Sequence, residues 1–410
     1  MGNRREELRQ FAGRVGRAVS ELVGAGPVHR RSLDRIDTRI AVSGVRGKST
    51  TVRWLHDVFY GRGLDTYAKV TGTEPLSIYN AVGHEIPRGE QVRLYENERE
   101  LRKYEPEDVA VLENQGIREY TTRLVNEQFV KPDVVLITNV REDHLGTLGS
   151  DRVKIARTLA RAVPEGTQVV NGEQDPELRR YLAAELERRD APVSHVTVPT
   201  RYRSIPGIEC VYGVNVVLQV LDEPALTAAQ IGSMRDQLRV SWRHLPEGRV
   251  FNAADVNDVQ STELLRQALL DDETAVVEPL VFLRADRRGR TASFRRYLDQ
   301  LFETGRIRQV HAAGPGAPVL KKRLTAPAET YDIDDCDPGE ALDAALAAGR
   351  PVLLMGNTVH EFMERMQAAI DASAVDEDRA ASETPDRYRQ FRPGRTSARR
   401  RRTRAHSVRR

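Results

Sequence analysis

Cysteine is nearly absent: only Cys210 and Cys336 occur in 410 residues, far apart. Two distant thiols cannot build a disulfide framework, and such sparing use fits a reducing compartment. Long apolar runs are missing as well. No stretch approaches the roughly 18–20 residues that span a bilayer, and no secretory leader is visible. Acidic residues are missing from the C-terminal end. Residues 387–410 hold 11 arginines and no Asp or Glu, so the net +3 of the chain leaves −8 on residues 1–386. This tail, with its Arg399-Arg400-Arg401-Arg402 cluster, has too few apolar side chains to offset its ordering entropy, and 373–410 is expected to be disordered. Two readings of it stand: an arm for anionic lipid, nucleic acid or an acidic polymer, or a solubilising extension.

What is present supports real cores. Hydrophobic residues make up 40% of the chain, and its length makes two domains the default. Leu8, Phe11, Val15, Val19 and Leu22 fall at helical spacing with arginines between, which predicts one amphipathic helix in the first two dozen residues. It either packs on its own domain or lies on a membrane surface. From residue 39 to about 200, strands (39–43, 66–71, 108–113, 133–139, 167–171, 193–198) alternate with helices (48–60, 116–129, 151–163, 175–189). Such alternation implies a parallel, doubly wound sheet with its ligand site at the carboxyl ends of the strands. A helical stretch over 208–240 precedes a second, smaller α/β series. Its strands are expected at 249–252, 279–285, 307–313 and 351–356, and its helices at 259–270, 291–304, 339–348 and 357–371.

The strongest local signal is Gly44-Val45-Arg46-Gly47-Lys48-Ser49-Thr50, between a short apolar strand and an amphipathic helix. The common phosphate-loop spacing would place a further glycine at residue 42, where Val42 stands. Gly44 and Gly47 let backbone N–H groups turn inward toward phosphate oxygens. The helix start adds about half a positive charge, Lys48 a mobile ammonium, and the Ser49 or Thr50 hydroxyl a ligand for Mg²⁺. An ordinary βα turn has no use for this set, so the loop predicts a nucleoside triphosphate.

Other polar residues fall at predicted strand ends. Glu113 closes the apolar run Val109–Leu112, a place where Mg²⁺ finds the oxygen ligands it prefers. Asn139, Arg141, Glu142, Asp143 and His144 crowd the end of another buried strand, costly unless they have work or partners. In the second series, Asn252, Asn257 and Asp258 follow one strand and Arg284-Ala285-Asp286-Arg287 another. Amides and carboxylates there can hydrogen-bond an adenine or ribose, and an arginine can neutralise a transferring phosphoryl group. From pattern alone these are barely distinguishable from turn residues.

Taken in order, these pieces resemble the Mur ligase superfamily of ATP-dependent amide ligases, and within it the ligase subunit of poly-γ-glutamate (capsule) synthases, PgsB/CapB. The phosphate loop is similar to that branch's Gly-Ile-Arg-Gly-Lys-Ser-Thr. Further matches are Val70-Thr71-Gly72-Thr73, Asn139-Val140 with Glu142-Asp143-His144, Asn257-Asp258 before Ser261-Thr262, Arg284-Ala285-Asp286-Arg287, and Gly356-Asn357. The resemblance implies a lead-in over 1–38 and a parallel-sheet phosphate-loop domain over 39–240. A smaller Rossmann-like α/β domain over 241–372 would follow. It implies that Gly44 to Thr50 cradle ATP, that Ser49 and Glu113 hold Mg²⁺, and that His144 holds or orients a second ion. Asn252, Asn257, Asp258 and Arg284 would close over the nucleotide, while Thr71 and Thr73 face the acyl substrate, with Lys48, Glu113, His144 and Arg284 as the catalytic set.

The implied substrates are ATP and glutamate or its γ-linked polymer, through an acyl phosphate. The implied partner is a membrane subunit of a capsule synthase, with a cytoplasmic location, at most peripheral to the inner face of the membrane. Three departures accompany the match. Gly146 stands where superfamily members often have aspartate. Residues 155–159 lack the carbamylated lysine of peptidoglycan and folyl ligases, and a charged helix stands where family members often begin with a membrane span. Two rivals remain: a ligase adding an amino acid to another carboxylate, and a nucleotide-dependent nucleic-acid binder acting through the tail.

Overall fold

The computed structural model describes residues 26–71, 75–87, 94–142, 149, 151–270, 272, 274–356 and 360–375. The expected N-terminal helix up to residue 25, Thr73, Asp143, His144, Gly146, Asn357 and the arginine tail lie outside the described residues.

Two sheets organise them. The first contains β1 (Thr38–Ser43), β2 (Thr66–Val70), β3 (Leu76–Tyr79), β4 (Val82–Glu85), β5 (Val109–Glu113), β6 (Val134–Ile137), β7 (Gln168–Asn171) and β8 (Val193–His195). Among the described residues their order is β4-β3-β2-β5-β1-β6-β7-β8. The six strands from β2 to β8 in that order are parallel, and of the described strands only β3, the inner strand of the β3–β4 hairpin, runs against them. The second sheet contains β9 (Arg243–Leu245), β10 (Gly248–Asn252), β11 (Glu278–Phe282), β12 (Val310–Ala313), β13 (Ala328–Tyr331) and β14 (Val352–Gly356), in the order β13-β12-β11-β14-β10-β9. Only β9 is antiparallel. The fold is therefore the expected α/β pair of largely parallel sheets.

The central strands β5 and β6 are buried along their whole length, as strands covered by helices on both faces must be. β1 lies between β5 and β6, with Val42 level with Glu113 and Ser43 level with Ile137. That register brings the ends of three buried strands to one point, directly beneath residues 44–47.

Some expectations need correction. The helical stretch over 208–240 is two helices, Ile208–Val220 and Ala228–Asp236. Asp222 takes a left-handed φ of 55° after the first, and Thr227 opens the second with a capping box to Gln230. The helix expected over 116–129 starts at Glu119 and ends as a π-helical turn over Val125–Val130. The hairpin β3–β4, the Glu96–Tyr104 helix, β9, β13 and the Ala317–Lys321 helix were not expected. No helix among the described residues is long and apolar enough to cross a membrane.

Candidate active site

The loop after β1 is shaped by its two glycines. Gly44 has φ 110°, and a Cβ there would sit 2.3 Å from Thr138 Oγ1 and 2.8 Å from Thr138 N. Gly47 has φ 79°, and its Cβ would meet Cys210 Sγ at 2.4 Å. Both positions demand a left-handed backbone without a side chain. The Cys210 thiol that backs the loop is itself buried, which pushes its pKa up to about 12 and leaves it an inert packing group. Gly47 then passes directly into the Lys48–Gly61 helix, whose free N–H groups start at the loop.

Asn139 clamps the loop from β6. Its Oδ1 accepts from Arg46 N at 3.0 Å, its Nδ2 donates to Arg46 O at 3.1 Å, and its backbone carbonyl accepts from Val45 N at 3.2 Å. The Lys48 ammonium donates to the Gly44 and Val45 carbonyls, both at 3.1 Å. Ser49 Oγ donates to Glu113 Oε2 at 2.9 Å, and Thr71 N donates to the same oxygen at 2.9 Å. Glu113 is 4% exposed. A hydroxyl and a buried carboxylate in contact beside a phosphate cradle are hard oxygen donors that fit one Mg²⁺ ion sharing its remaining positions with phosphates and water. Thr50, by contrast, is exposed. Among the described residues no group of three or more His, Cys, Asp or Glu could hold a metal ion by itself.

The second sheet reaches this loop. Arg46 Nε donates to Asp258 Oδ2 at 2.8 Å, and Asp258 Oδ1 caps the Val259–Leu269 helix by accepting from Ser261 N at 2.8 Å. Ser261 Oγ accepts from Arg141 Nη1 at 3.1 Å, and Arg141 Nη2 donates to Glu209 Oε1 at 3.0 Å. Glu209 Oε1 also accepts from Asn139 Nδ2 at 2.9 Å, which closes a ring of hydrogen bonds back to Arg46. Beside the ring opens a cavity of about 740 Å³, lined from one sheet by Asn139, Arg141 and Glu173 and from the other by Gln260, Glu263 and Tyr297. None of residues 44–50 lines it, so it adjoins the ring and not the phosphate cradle itself.

The ring makes a test of the inter-sheet contact possible. Asp258 is fully buried at its side chain and Arg46 is 23% exposed, so removing the carboxylate leaves a poorly solvated guanidinium. Asp258→Asn, which can still cap the helix, is expected to lower unfolding stability by about 1–2 kcal/mol. A double-mutant cycle with Arg46→Ala should return a coupling of about 1 kcal/mol or more in chemical denaturation. A coupling near zero would remove the pair from the account.

The structure therefore brings Gly44, Arg46, Gly47, Lys48, Ser49, Thr71, Glu113 and Asp258 together. It gives Asn252, Asn257 and Arg284 other partners. Asn252 Nδ2 donates to Gln367 and its Oδ1 accepts from Ala254 N. Asn257 sits at φ 55° and its Oδ1 accepts from Arg290. Arg284 forks onto Asp286 at 2.9 and 3.0 Å, at the end of β11. Glu209 and Ser261 as ring members, and the fully buried Lys69 paired with Glu96 at 2.9 Å and Gln115 at 2.7 Å, were not anticipated as site elements. The only cue in the sequence was charge at buried places, Glu209 in an apolar helix and Lys69 within a strand.

A parallel sheet carrying a glycine loop, a lysine at the helix start and a buried carboxylate at the next strand end defines a phosphate-loop nucleotide-binding protein. Sequence comparison narrows this class. Residues 42–200 match the Mur ligase middle domain, and residues 240–373 match the poly-gamma-glutamate synthase CapB C-terminal domain. The chain belongs to the Mur ligase superfamily, with a C-terminal unit of the CapB type. It is similar to PGA synthase CapB of Bacillus subtilis (strain 168), 24% identical over 65% of this chain and 72% of that protein. It is also similar to the capsule biosynthesis protein CapB of Bacillus anthracis, 25% identical over 40% of this chain and 36% of that one. A Yersinia pestis bifunctional folylpolyglutamate synthase/dihydrofolate synthase, solved with AMPPNP and Mn ion, shares the fold. Its TM-score is 0.59 at 18% identity, covering 83% of this chain and 90% of that one.

Proposed function

We propose that this chain is an ATP-dependent amide ligase that extends a glutamyl chain through γ-carboxylates. The observation that carries the reading is a built phosphate loop in contact with a C-terminal unit that matches the CapB family over 240–373. We place the nucleotide-binding unit at 39–240 and the second unit at 241–372. The γ-phosphoryl of ATP passes to the substrate carboxylate and gives an acyl phosphate with release of ADP. The amine of glutamate then attacks the acyl carbon, the amide forms and phosphate leaves. Neither step needs a covalent group from the protein, so its work is positioning and neutralising charge.

Backbone N–H groups of 44–49 and the Lys48 ammonium take the phosphate oxygens, and Arg46 adds charge beside them, while Arg284, forked onto Asp286 at the end of β11, stands outside this set. Ser49 and Glu113 would hold Mg²⁺, which when bound screens the phosphate charges. Thr71, whose backbone N–H donates to Glu113, faces the acyl substrate. The roles given to Thr73 and to His144 as a second metal ligand belong to residues outside those described, and Asn252, Asn257 and Asp258 are assigned to the nucleotide side. Closure of the two units over the ligand keeps water from the acyl phosphate. A membrane subunit is the proposed partner, with the chain at the inner face of the membrane.

The test is phosphate release by the purified full-length chain with ATP, Mg²⁺ and a short γ-linked glutamate oligomer plus free glutamate. Products are read by mass spectrometry. The expected result is glutamate-dependent release with products that grow by one glutamyl unit. Release that depends on a different carboxylate would move the chain to another ligase branch. No release, with or without membranes, would overturn the reading.

A further inference from the structure

A second cavity lies at the carboxyl ends of β11 and β12, away from the ring. It measures about 480 Å³ and its wall carries four arginines, Arg284, Arg288, Arg295 and Arg323, with Val319 half exposed at its edge. The floor is tightly built. Gly314 has φ 92° and a Cβ there would lie 2.6 Å from Leu283 O, while one on Gly316 would lie 2.8 Å from Leu283 Cβ. Only part of the positive charge is balanced. Arg284 pairs with Asp286 and Arg295 with Asp299 at 2.9 Å, whereas the Arg288 and Arg323 side chains have no hydrogen-bond or ion-pair partner among the described residues. Positive charge continues past the cavity through Lys321 and Lys322, and residues 284–296 hold six arginines against one aspartate. In a chain whose residues 1–386 sum to −8, this is a local reversal of sign.

We infer that this cavity binds the carboxylates of the glutamyl chain being extended, several residues behind the reacting end. The inference rests on the ligase reading above. Three observations select this ligand. The cavity stands on the same rim as the phosphate loop, because β10, which leads to Asp258, is parallel to β11 and separated from it only by β14. At the usual strand spacing β11 lies about 10 Å from β10, so the cavity shares a rim with the loop's Asp258 partner while being built from residues other than the phosphate cradle. Next, a wall whose charged side chains are all arginines repels the ammonium of free glutamate but not an internal glutamyl residue, whose amine is acylated and whose α-carboxylate is free. Finally, the charge runs on beyond a small cavity, as a ligand with repeated carboxylates requires. Arginines suit the task because their fork matches a carboxylate in two hydrogen bonds.

Hydrogen–deuterium exchange of the full chain, titrated with a γ-linked glutamate hexamer, localises binding and separates it from any contact with the arginine tail. Segments 284–296 and 314–323 should gain protection with the hexamer and not with free glutamate. In Arg288→Ala/Arg323→Ala the midpoint of that protection should rise at least tenfold, Arg288→Lys/Arg323→Lys should recover part of it, and ATP affinity should stay within twofold. Protection that survives in the double alanine variant overturns the inference, as does protection by ATP or free glutamate in its place. Should the alanine variant fail to fold, the lysine pair and Arg323→Gln carry the same comparison. Phosphate release by the wild type is scored separately. Its absence beside intact hexamer protection would count against the ligase reading, and its presence without protection against this site.

Discussion

Lys48→Ala is expected to lower kcat/KM for glutamate-dependent phosphate release by about 10²–10³-fold while the chain stays folded. The loop amides and the helix start act on phosphate charge through fixed dipoles, whereas Lys48 brings a full charge on a mobile side chain and the other cation of the loop, Arg46, is paired with Asp258. Its ammonium rests on the Gly44 and Val45 carbonyls, at the inner lip of the cradle, so it needs little movement to meet a phosphate oxygen. A loss of that size corresponds to about 3–4 kcal/mol of transition-state stabilisation. Phosphate release and product mass, measured beside a thermal melt, check it. A variant with activity within threefold of wild type would mean the loop does not carry the transferred phosphoryl group.

Glu113→Gln should produce the second large effect, and it should appear in the metal dependence. The amide keeps the size of the carboxylate, and its Oε1 can still accept from Ser49 Oγ and Thr71 N, so packing at this buried position survives. The negative charge, which is what Mg²⁺ requires, is gone. The Mg²⁺ concentration giving half-maximal activity is expected to rise about 10–100-fold, with kcat falling as well. Titration of Mg²⁺ at fixed ATP reads this directly. An unchanged midpoint would assign Glu113 to holding Thr71 and Ser49 in place and nothing more.

The parts of the fold that were legible share one property: their cause is local. Ile40 to Val42, the glycines and the Lys48–Gly61 helix are contiguous, and the run Val109–Leu112 announces a buried strand by itself. Parallel topology then carries Glu113 to the loop, because strands in a doubly wound sheet present the same ends to the same rim. What was not legible depends on partners far away in the chain. Asp258 reads as an ordinary helix cap, which it is. That its other oxygen meets Arg46, 212 residues earlier, follows only from how the two sheets meet. Asn252 and Asn257 were chosen for their chemistry, and the structure engages both with near and distant partners of the second unit. The hairpin β3–β4 was missed because four-residue strands such as Val82–Glu85, only one of them apolar, give no period to read. The break after Val220 was missed because its signal, a left-handed aspartate at 222, is weak in sequence.

The Arg46–Asp258 contact has a consequence for how the chain meets its nucleotide. Asp258 is an anion tethered within reach of a loop built for anions, and it already occupies one of that loop's two cationic side chains. A phosphate that engages Arg46 must share it with, or displace, a rival that never diffuses away, and whose effective concentration a covalent tether typically sets in the millimolar range. Where the phosphate takes the Nε–H of Arg46, binding at this loop exchanges one negative partner for another. The same tethered carboxylate stands ready to reclaim Arg46 when the spent nucleotide leaves.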